Sequence, residues 1–169
     1  MSNRKKTTKI IHAGLVCFAV IAVILFQLLN NGIIWFVYPE IKGFKVKGID
    51  VARYQGDIDW QIISSQDISF AYIKATEGSS YHDPWFSNNI VFSRDNGIFA
   101  GAYHFFSTES LGITQAENYI KTVSEYQMDL PPVLDFEINT ANTKKAADEA
   151  YIYLLEIERY FGVKPIIYI

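Results

Sequence analysis

The chain has 169 residues, half of them hydrophobic, a formal net charge of −3 and a single cysteine. An acidic balance offers a phosphate backbone little to bind, so nucleic acid is excluded as a partner, and one cysteine forms no intrachain disulfide. The apolar excess is concentrated at the front, which sets the N-terminal part aside from the rest.

Residues 1–9 form a basic lead carrying Arg4, Lys5, Lys6 and Lys9. Ile10 to Leu29 is apolar apart from His12 and Gln27, long enough to cross a hydrocarbon core of about 30 Å as a helix. The lead holds the N-terminus in the cytoplasm and sends the following chain across the membrane. No small-x-small cleavage site closes the run, which resumes at Ile33-Ile34-Trp35-Phe36-Val37-Tyr38, with Trp35 and Tyr38 suited to an interfacial belt. Residues 10–38 are therefore expected to be an uncleaved signal anchor. The protein would then sit in the cell membrane with a single pass and its C-terminal domain on the extracytoplasmic side. Cys17 follows Val16 inside this segment, which reads as a small buried apolar residue and not as a lipid attachment site. Residues 39–47 read as a linker. Residues 48–169 read as the folded domain, stable through its core alone because it has no disulfide.

Within that domain strand-like and helix-like segments alternate. Strands are expected at Val46–Val51, Ser69–Ala75, Ile98–Phe106, Pro132–Phe136 and Pro165–Ile169. Asp59 is placed to cap a helix opening at Trp60, and Asp83-Pro84 reads as an N-cap with proline at the first helical position. Thr114 to Glu117 has the capping-box spacing ahead of a segment ending near Gln127, and a last helix over about Thr143–Phe161 stops at Gly162. Alternation of this kind predicts parallel strands joined by right-handed crossovers.

Two architectures fit, the open doubly wound sheet and the closed barrel. A nucleotide-binding open sheet needs a glycine-rich turn after its first strand, and Asp50-Val51-Ala52-Arg53-Tyr54-Gln55 has none. Polar and ionisable residues gather instead at successive strand ends: Asp50, then Lys74 and Glu77, then Tyr103 and His104, then Asp135 and Glu137. Chemistry at the C-terminal ends of strands is the barrel arrangement, so an irregular α/β barrel of the TIM-like kind is expected. In Pro131-Pro132-Val133-Leu134-Asp135-Phe136-Glu137 the two carboxylates on a strand would share one face, with Cβ atoms roughly 6 to 7 Å apart. Like charges held that close push their pKa values apart, leaving a protonated carboxyl beside an ionised one, which is what glycoside hydrolysis requires. The plainer reading of an isolated pair is a helix cap beside a solvated carboxylate.

Gly48-Ile49-Asp50-Val51, Gln55-Gly56 and Ile58-Asp59-Trp60 open a series of blocks. Phe70-Ala71-Tyr72-Ile73-Lys74-Ala75-Thr76-Glu77-Gly78 follows, with Tyr81 and Asp83, then Gly101-Ala102-Tyr103-His104-Phe105, Gln115-Ala116 and Leu130 to Glu137. In order and spacing the series resembles the glycoside hydrolase family 25 lysozymes, the muramidases of bacteria and their phages, over about Gly48 to Ile169. The resemblance implies cleavage of the β-1,4 bond between N-acetylmuramic acid and N-acetylglucosamine, with peptidoglycan glycan strands as partner and neither metal nor organic cofactor. It implies Glu137 as general acid, Asp135 as a partner carboxylate that stabilises charge or orients the substrate's acetamido group, and Asp50 as a third acid across the barrel mouth. Glu77, Lys74 and Tyr103 are its candidate substrate-binding or supporting residues. Inverting and substrate-assisted retaining mechanisms both stay open, because the carboxylate separation has to be measured.

His104, in an apolar strand, reads as a core histidine and not as a base. Trp60 and Trp85 read as packing residues, and Lys144, Lys145, Asp148 and Glu149 as a solvated helix face. Ala52 stands where the family pattern often has serine. Length is the larger departure: from Gly48 the chain supplies roughly 120 residues, where closed α/β barrels take about 200 or more. The expectation is an incomplete, truncated barrel of about five strands with little or no activity, preceded by one transmembrane helix. Two other readings stay open. One is a non-catalytic glycan-binding remnant or gene fragment; the other is a metal-dependent hydrolase using Asp50, His104, Asp135 and Glu137 as ligands. The second lacks any H-x-H or H-x-x-x-H pair among the three histidines.

Overall fold

The computed structural model describes residues 14–27, 43–137 and 143–169. The chain divides into two units, Met1–Gly43 and Phe44–Ile169. In the first, a helix α1 covers residues 14–27, and its apolar side chains are exposed all round. Among the described residues no helix is long and apolar enough to cross a membrane. The expected transmembrane helix is thus not found among them. The basic lead and the rest of the expected anchor, with Trp35 and Tyr38, lie outside the described residues. Cys17 is a free, exposed thiol on α1, not a buried apolar residue.

The second unit runs β1 (Gly48–Val51), a 3-10 turn (Arg53–Gln55), α2 (Trp60–Ser64), β2 (Phe70–Glu77), β3 (Tyr81–His82) and α3 (Phe86–Asp95). It continues through β4 (Phe99–Phe105), α4 (Gly112–Val123), β5 (Val133–Asp135), α5 (Thr143–Phe161) and β6 (Ile166–Tyr168). The sheet order is β1-β2-β4-β5-β6, with every neighbouring pair parallel. An open doubly wound sheet reverses its strand order at a switch point. Here the order only advances, and crossovers of one hand then put α2 to α5 on a single face. The result is a half-barrel of parallel strands, with the five strands expected. A sixth, β3, was not expected: it pairs antiparallel with the end of β2 after a turn at Gly78, whose φ is 54°. Two residues are too few to show a strand periodicity.

The helix-covered face of the sheet is small and apolar, built from Val51, Ala71, Ile73, Ala75, Ala100, Ala102 and Leu134. Trp60, Phe86, Ile90, Tyr119, Tyr153 and Ile157 pack onto it from the four helices. Each large apolar side chain buried in this way contributes about 1.5–3 kcal/mol. Alanines on β2 and β4 let α4 approach until the Tyr119 hydroxyl donates to the Ala102 carbonyl at 3.0 Å. Trp60 is the packing residue expected, and its indole N–H donates to Asn89 Oδ1 at 3.2 Å.

Helix ends follow local signals in part. Asp59 caps α2, accepting from the Gln61 and Ile62 amides at 3.1 and 3.0 Å, and α5 stops before Gly162, whose φ is 70°. The other two capping expectations are corrected. α3 begins at Phe86, and buried Asp83 is a turn residue: it accepts from the Trp85 amide and from the Arg53 amide, each at 2.9 Å. α4 begins at Gly112, and the Thr114 hydroxyl donates back to the Leu111 carbonyl. Its cap comes from α5, where Glu149 Oε2 accepts from the Gly112 amide at 2.7 Å. Glu149 thus leaves the solvated face, on which Lys144 and Asp148 pair at 2.8 Å.

Gly112 is also where α4 meets α5, since a Cβ there would lie 1.8 Å from the Glu149 carbonyl oxygen. Gly112→Ala is expected to destabilise the domain by about 1–3 kcal/mol, the usual cost of overpacking. A lowered thermal midpoint in circular dichroism checks this; an unchanged midpoint would show that the two helices separate freely.

Candidate active site

The end of β2 shapes the site. Up to Lys74, which pairs with Tyr103, β2 runs in register with β4; the register then shifts, so that Thr76 pairs with His104 and Glu77 with Phe105. Regular alternation would put Lys74 and Glu77 on opposite faces. The irregularity returns Glu77 to the face of Lys74, and the two side chains form an ion pair at 2.6 Å. Lys74 is buried, with its Nζ 4.7 Å from the Phe105 ring centre and 5.8 Å from that of Tyr81. Glu77 keeps 44% of its side chain exposed.

Asp50, Tyr103 and Asp135 lie on this same face, because their strand neighbours Val51, Ala102, His104 and Leu134 are buried on the other. Toward the N-terminal ends of the strands, aromatic rings fill the face over glycines. A Cβ on Gly48 would lie 2.2 Å from the Phe70 ring, and one on Gly101 2.5 Å from the Tyr72 ring. That leaves the C-terminal half of the face to the ionisable groups, the position barrel chemistry uses.

Asp135 closes β5 and is half-buried. Burial pushes its carboxyl up to about 6; the charge of Glu137 adds to the rise, Lys74 opposes it, and Asp50 adds again. Its Oδ1 is buried without a hydrogen-bond partner, so nothing replaces the water that the charged form loses. Glu137 is not on the strand. Pairing with β6 ends at Asp135↔Tyr168, the Phe136 amide donates to the Tyr168 carbonyl at 2.8 Å, and Glu137 follows as an exposed residue. The expected pair on one strand face is therefore corrected to a strand-end carboxyl and a carboxyl just beyond the strand. Tyr103 is half-buried; burial and then the charges of Asp50 and Asp135 push its phenol up, so it stays a proton donor.

His104 lies on the opposite face and is fully buried, stacked on Tyr153 at 4.8 Å. Its Nδ1 is 2.8 Å from Thr76 Oγ1 and its Nε2 3.0 Å from Gln115 Oε1. Gln115 Oε1 also accepts from the Ser107 amide, while its Nε2 donates to the Ser107 and Ser110 carbonyls, which fixes the side-chain amide. His104 Nε2 is thus the donor and Nδ1 the acceptor, and burial lowers its pKa to about 4. This is the core histidine expected, and the ligand set joining it to Asp50, Asp135 and Glu137 is not assembled. Among the described residues no group of three or more His, Cys, Asp or Glu is placed to hold a metal ion.

Ala52 is buried, and its amide donates to Gln55 Oε1 at 2.8 Å. That bond closes the 3-10 turn without a hydroxyl. Sequence reasoning left Arg53 and Tyr54 out of the site. They line a cleft of about 430 Å³ that also includes Glu77 and Tyr81. Only β3, too short to read from sequence, brings Tyr81 there.

The folded chain holds the Asp135 proton up to about pH 6, whereas its ordinary value is 3.8, so between these values the folded state binds more protons than the unfolded. Stability that accompanies the protonated carboxyl is full below about pH 4 and is lost as pH rises through about 6. Asparagine stays neutral throughout. Asp135→Asn is expected to raise stability near pH 7.5 by roughly 1 kcal/mol, after allowance for screening by solvent, and to change it little near pH 4. Thermal midpoints at the two pH values check this; a fall near pH 7.5 would mean that the charged carboxylate is the favoured form.

The family model described as glycosyl hydrolases family 25 matches residues 49–169. The uncharacterized protein YegX of Escherichia coli (strain K12) is 35% identical over 99% of this chain and 70% of its own length. Lysozyme M1 of Streptomyces globisporus is 45% identical over 56% of this chain and 33% of its own. A solved family 25 glycosyl hydrolase from Bacillus anthracis superposes with a TM-score of 0.71 at 40% identity, covering 76% of this chain and 62% of that one. The chain thus spans a third of lysozyme M1 and less than two thirds of the solved hydrolase. A family model over residues 49–169, on a half-barrel of parallel strands with carboxylates at their C-terminal ends, shows that this chain belongs to glycosyl hydrolase family 25.

Proposed function

We propose that this chain is a peptidoglycan muramidase, hydrolysing the β-1,4 bond between N-acetylmuramic acid and N-acetylglucosamine. The observation that carries the reading is the acidic cluster of Asp50, Asp135 and Glu137, in which Asp135 holds its proton to about pH 6. Cleavage of a glycosidic bond takes a proton for the leaving oxygen and negative charge against an oxocarbenium-like transition state. Family membership and the likeness to lysozyme M1 support the substrate class.

In this reading Glu137, exposed beyond β5, protonates the leaving oxygen. Asp135 stabilises the developing positive charge or orients the acetamido group, and Asp50 completes the cluster from β1. Tyr103 donates to the bound sugar, and the Lys74–Glu77 pair holds an acceptor at its edge. The raised pKa of Asp135 favours a second assignment, in which Asp135 is the acid and Glu137 the anionic partner.

We also propose that the N-terminal segment anchors the protein in the cell membrane, with the hydrolase domain on the extracytoplasmic side. The basic lead and a helix α1 that is apolar and exposed all round support this. Cell fractionation with protease treatment of intact cells is expected to find the domain in the membrane fraction and cleavable from outside; a protected domain would reverse the orientation.

Against the expectation of little or no activity drawn from length alone, this reading has the full chain solubilise purified peptidoglycan, and Glu137→Gln and Asp135→Asn are each expected to lower turnover by about a hundredfold or more. A glycoside whose leaving group needs no protonation tells the two assignments apart. Glu137→Gln keeps its rate on that substrate if Glu137 is the acid, and Asp135→Asn keeps it if the roles are exchanged. Unchanged turnover in both variants, or glycan binding without cleavage by the parent chain, would overturn the proposal.

A further inference from the structure

The cleft of about 430 Å³ includes Glu77, the partner of Lys74, but none of Asp50, Asp135 and Glu137, and it differs from that acidic cluster in charge. Arg53 and Tyr54 reach it from the 3-10 turn, Glu77 and Tyr81 from the β2–β3 hairpin, and Glu109 and Ser110 from the segment before α4. The Arg53 guanidinium carbon lies 5.0 Å from the Tyr54 ring centre and 5.8 Å from that of Tyr81. Lys74 Nζ lies 5.8 Å from the same Tyr81 ring. Two cations therefore share one aromatic ring, but only Lys74 has a carboxylate, Glu77, within ion-pair distance. Arg53 forms no ion pair among the described residues.

The backbone under Arg53 is fixed independently of its side chain, because its amide donates to buried Asp83 at 2.9 Å. The Arg53 guanidinium is engaged by Tyr54 and feels the Asp83 charge, but its five N–H donors exceed what Tyr54 can take, and the fork geometry can hold a carboxylate through two bonds. Glu109 adds a negative charge to the same cleft, and Tyr81 Oη and Ser110 Oγ are buried there without hydrogen-bond partners. Each unpaired hydroxyl costs about 1–3 kcal/mol until something satisfies it. Fixed charges of both signs beside unpaired hydroxyls match a peptide bearing carboxylate and amine better than an uncharged sugar. The Tyr81 ring, on which a sugar could stack, already has two cations 5.8 Å from its centre.

We propose that this cleft binds the peptide branch of peptidoglycan, with a branch carboxylate held by Arg53. The inference rests on the muramidase reading, since the branch is attached to the muramic acid whose bond that reading sets at Asp135 and Glu137. Glu77 joins the two regions, lining the cleft while it holds Lys74, whose charge reaches Asp135. Glycan strands without peptide carry a free lactyl carboxylate with the same chemistry, so the source has to be separated by the substrate.

Soluble, uncross-linked glycan strands are prepared with their peptides and, by amidase treatment, without them. In the full chain Arg53→Ala is expected to lower the preference for peptide-bearing strands, as the ratio of the two kcat/KM values, at least tenfold. The loss falls in KM, and Arg53→Lys recovers part of it. An unchanged ratio overturns the proposal, including the case of equal losses on both substrates, which assigns the contact to the lactyl carboxylate. Calorimetric titration with an N-acetylmuramyl tripeptide, on the Glu137→Gln chain with and without Arg53→Ala, gives a readout that needs no cleavage. At least tenfold weaker binding supports the peptide site even if the muramidase reading fails, and equal affinity overturns it.

Discussion

A hydrogen-bonded chain in the dry core, Thr76 to His104 to Gln115, is the constraint on which the site's geometry depends. Thr76 reaches the His104 ring only from the helix-covered face, and it occupies that face because the β2 register shifts after Lys74. The same shift turns Glu77 to the open face, beside Lys74. A neutral histidine that never meets solvent thereby decides which acid stands at the strand end. Gln115 extends the chain to the Ser107 and Ser110 backbone, so the segment that forms the far wall of the Arg53 cleft is tied to the same core.

The two faces of the sheet divide the labour between stability and chemistry. Strands that advance in one direction collect their helices on one side, where alanines on β2 and β4 let large rings of α4 and α5 settle. Among the described residues of this unit, no helix covers the other side. Phe70 and Tyr72 cover glycines toward the N-terminal ends, and the acids stand at the C-terminal ends. There, Asp135 keeps a buried oxygen with no partner, a feature that costs stability and is retained where a proton has to be held. Lys74 limits the effect: its charge opposes the rise of the Asp135 pKa while its own desolvation is offset by Glu77 and the Phe105 and Tyr81 rings.

What was legible beforehand rests on short-range rules. The alternation of strand and helix, the Asp59 cap, the Gly162 stop and the core position of His104 each depend on residues within about one turn or on one strand's polarity. The choice of barrel over open sheet came from ionisable residues at successive strand ends, and the strand order agrees with it. The failures share a different origin. Asp83 accepts from an amide 30 residues away, and Glu149 caps a helix start 37 residues away, so local spacing pointed to the wrong caps.

The amino-acid sequence by itself determined the family, the half-barrel layout and which carboxylates stand at or just beyond the strand ends, because motif order, periodicity and turn chemistry are written along the chain. Only the tertiary structure decided that Glu137 lies beyond its strand, that Glu77 is spent on Lys74, and that Asp135 holds the proton to about pH 6. It also decided that Arg53 shares a cleft with Glu77 and Glu109 yet forms no ion pair among the described residues. The physical reason is that strand length is set by the partner strand, and a pKa or an ion pair by desolvation and neighbouring charges. Packing brings those neighbours together from distant positions, and no local pattern records which ones will meet.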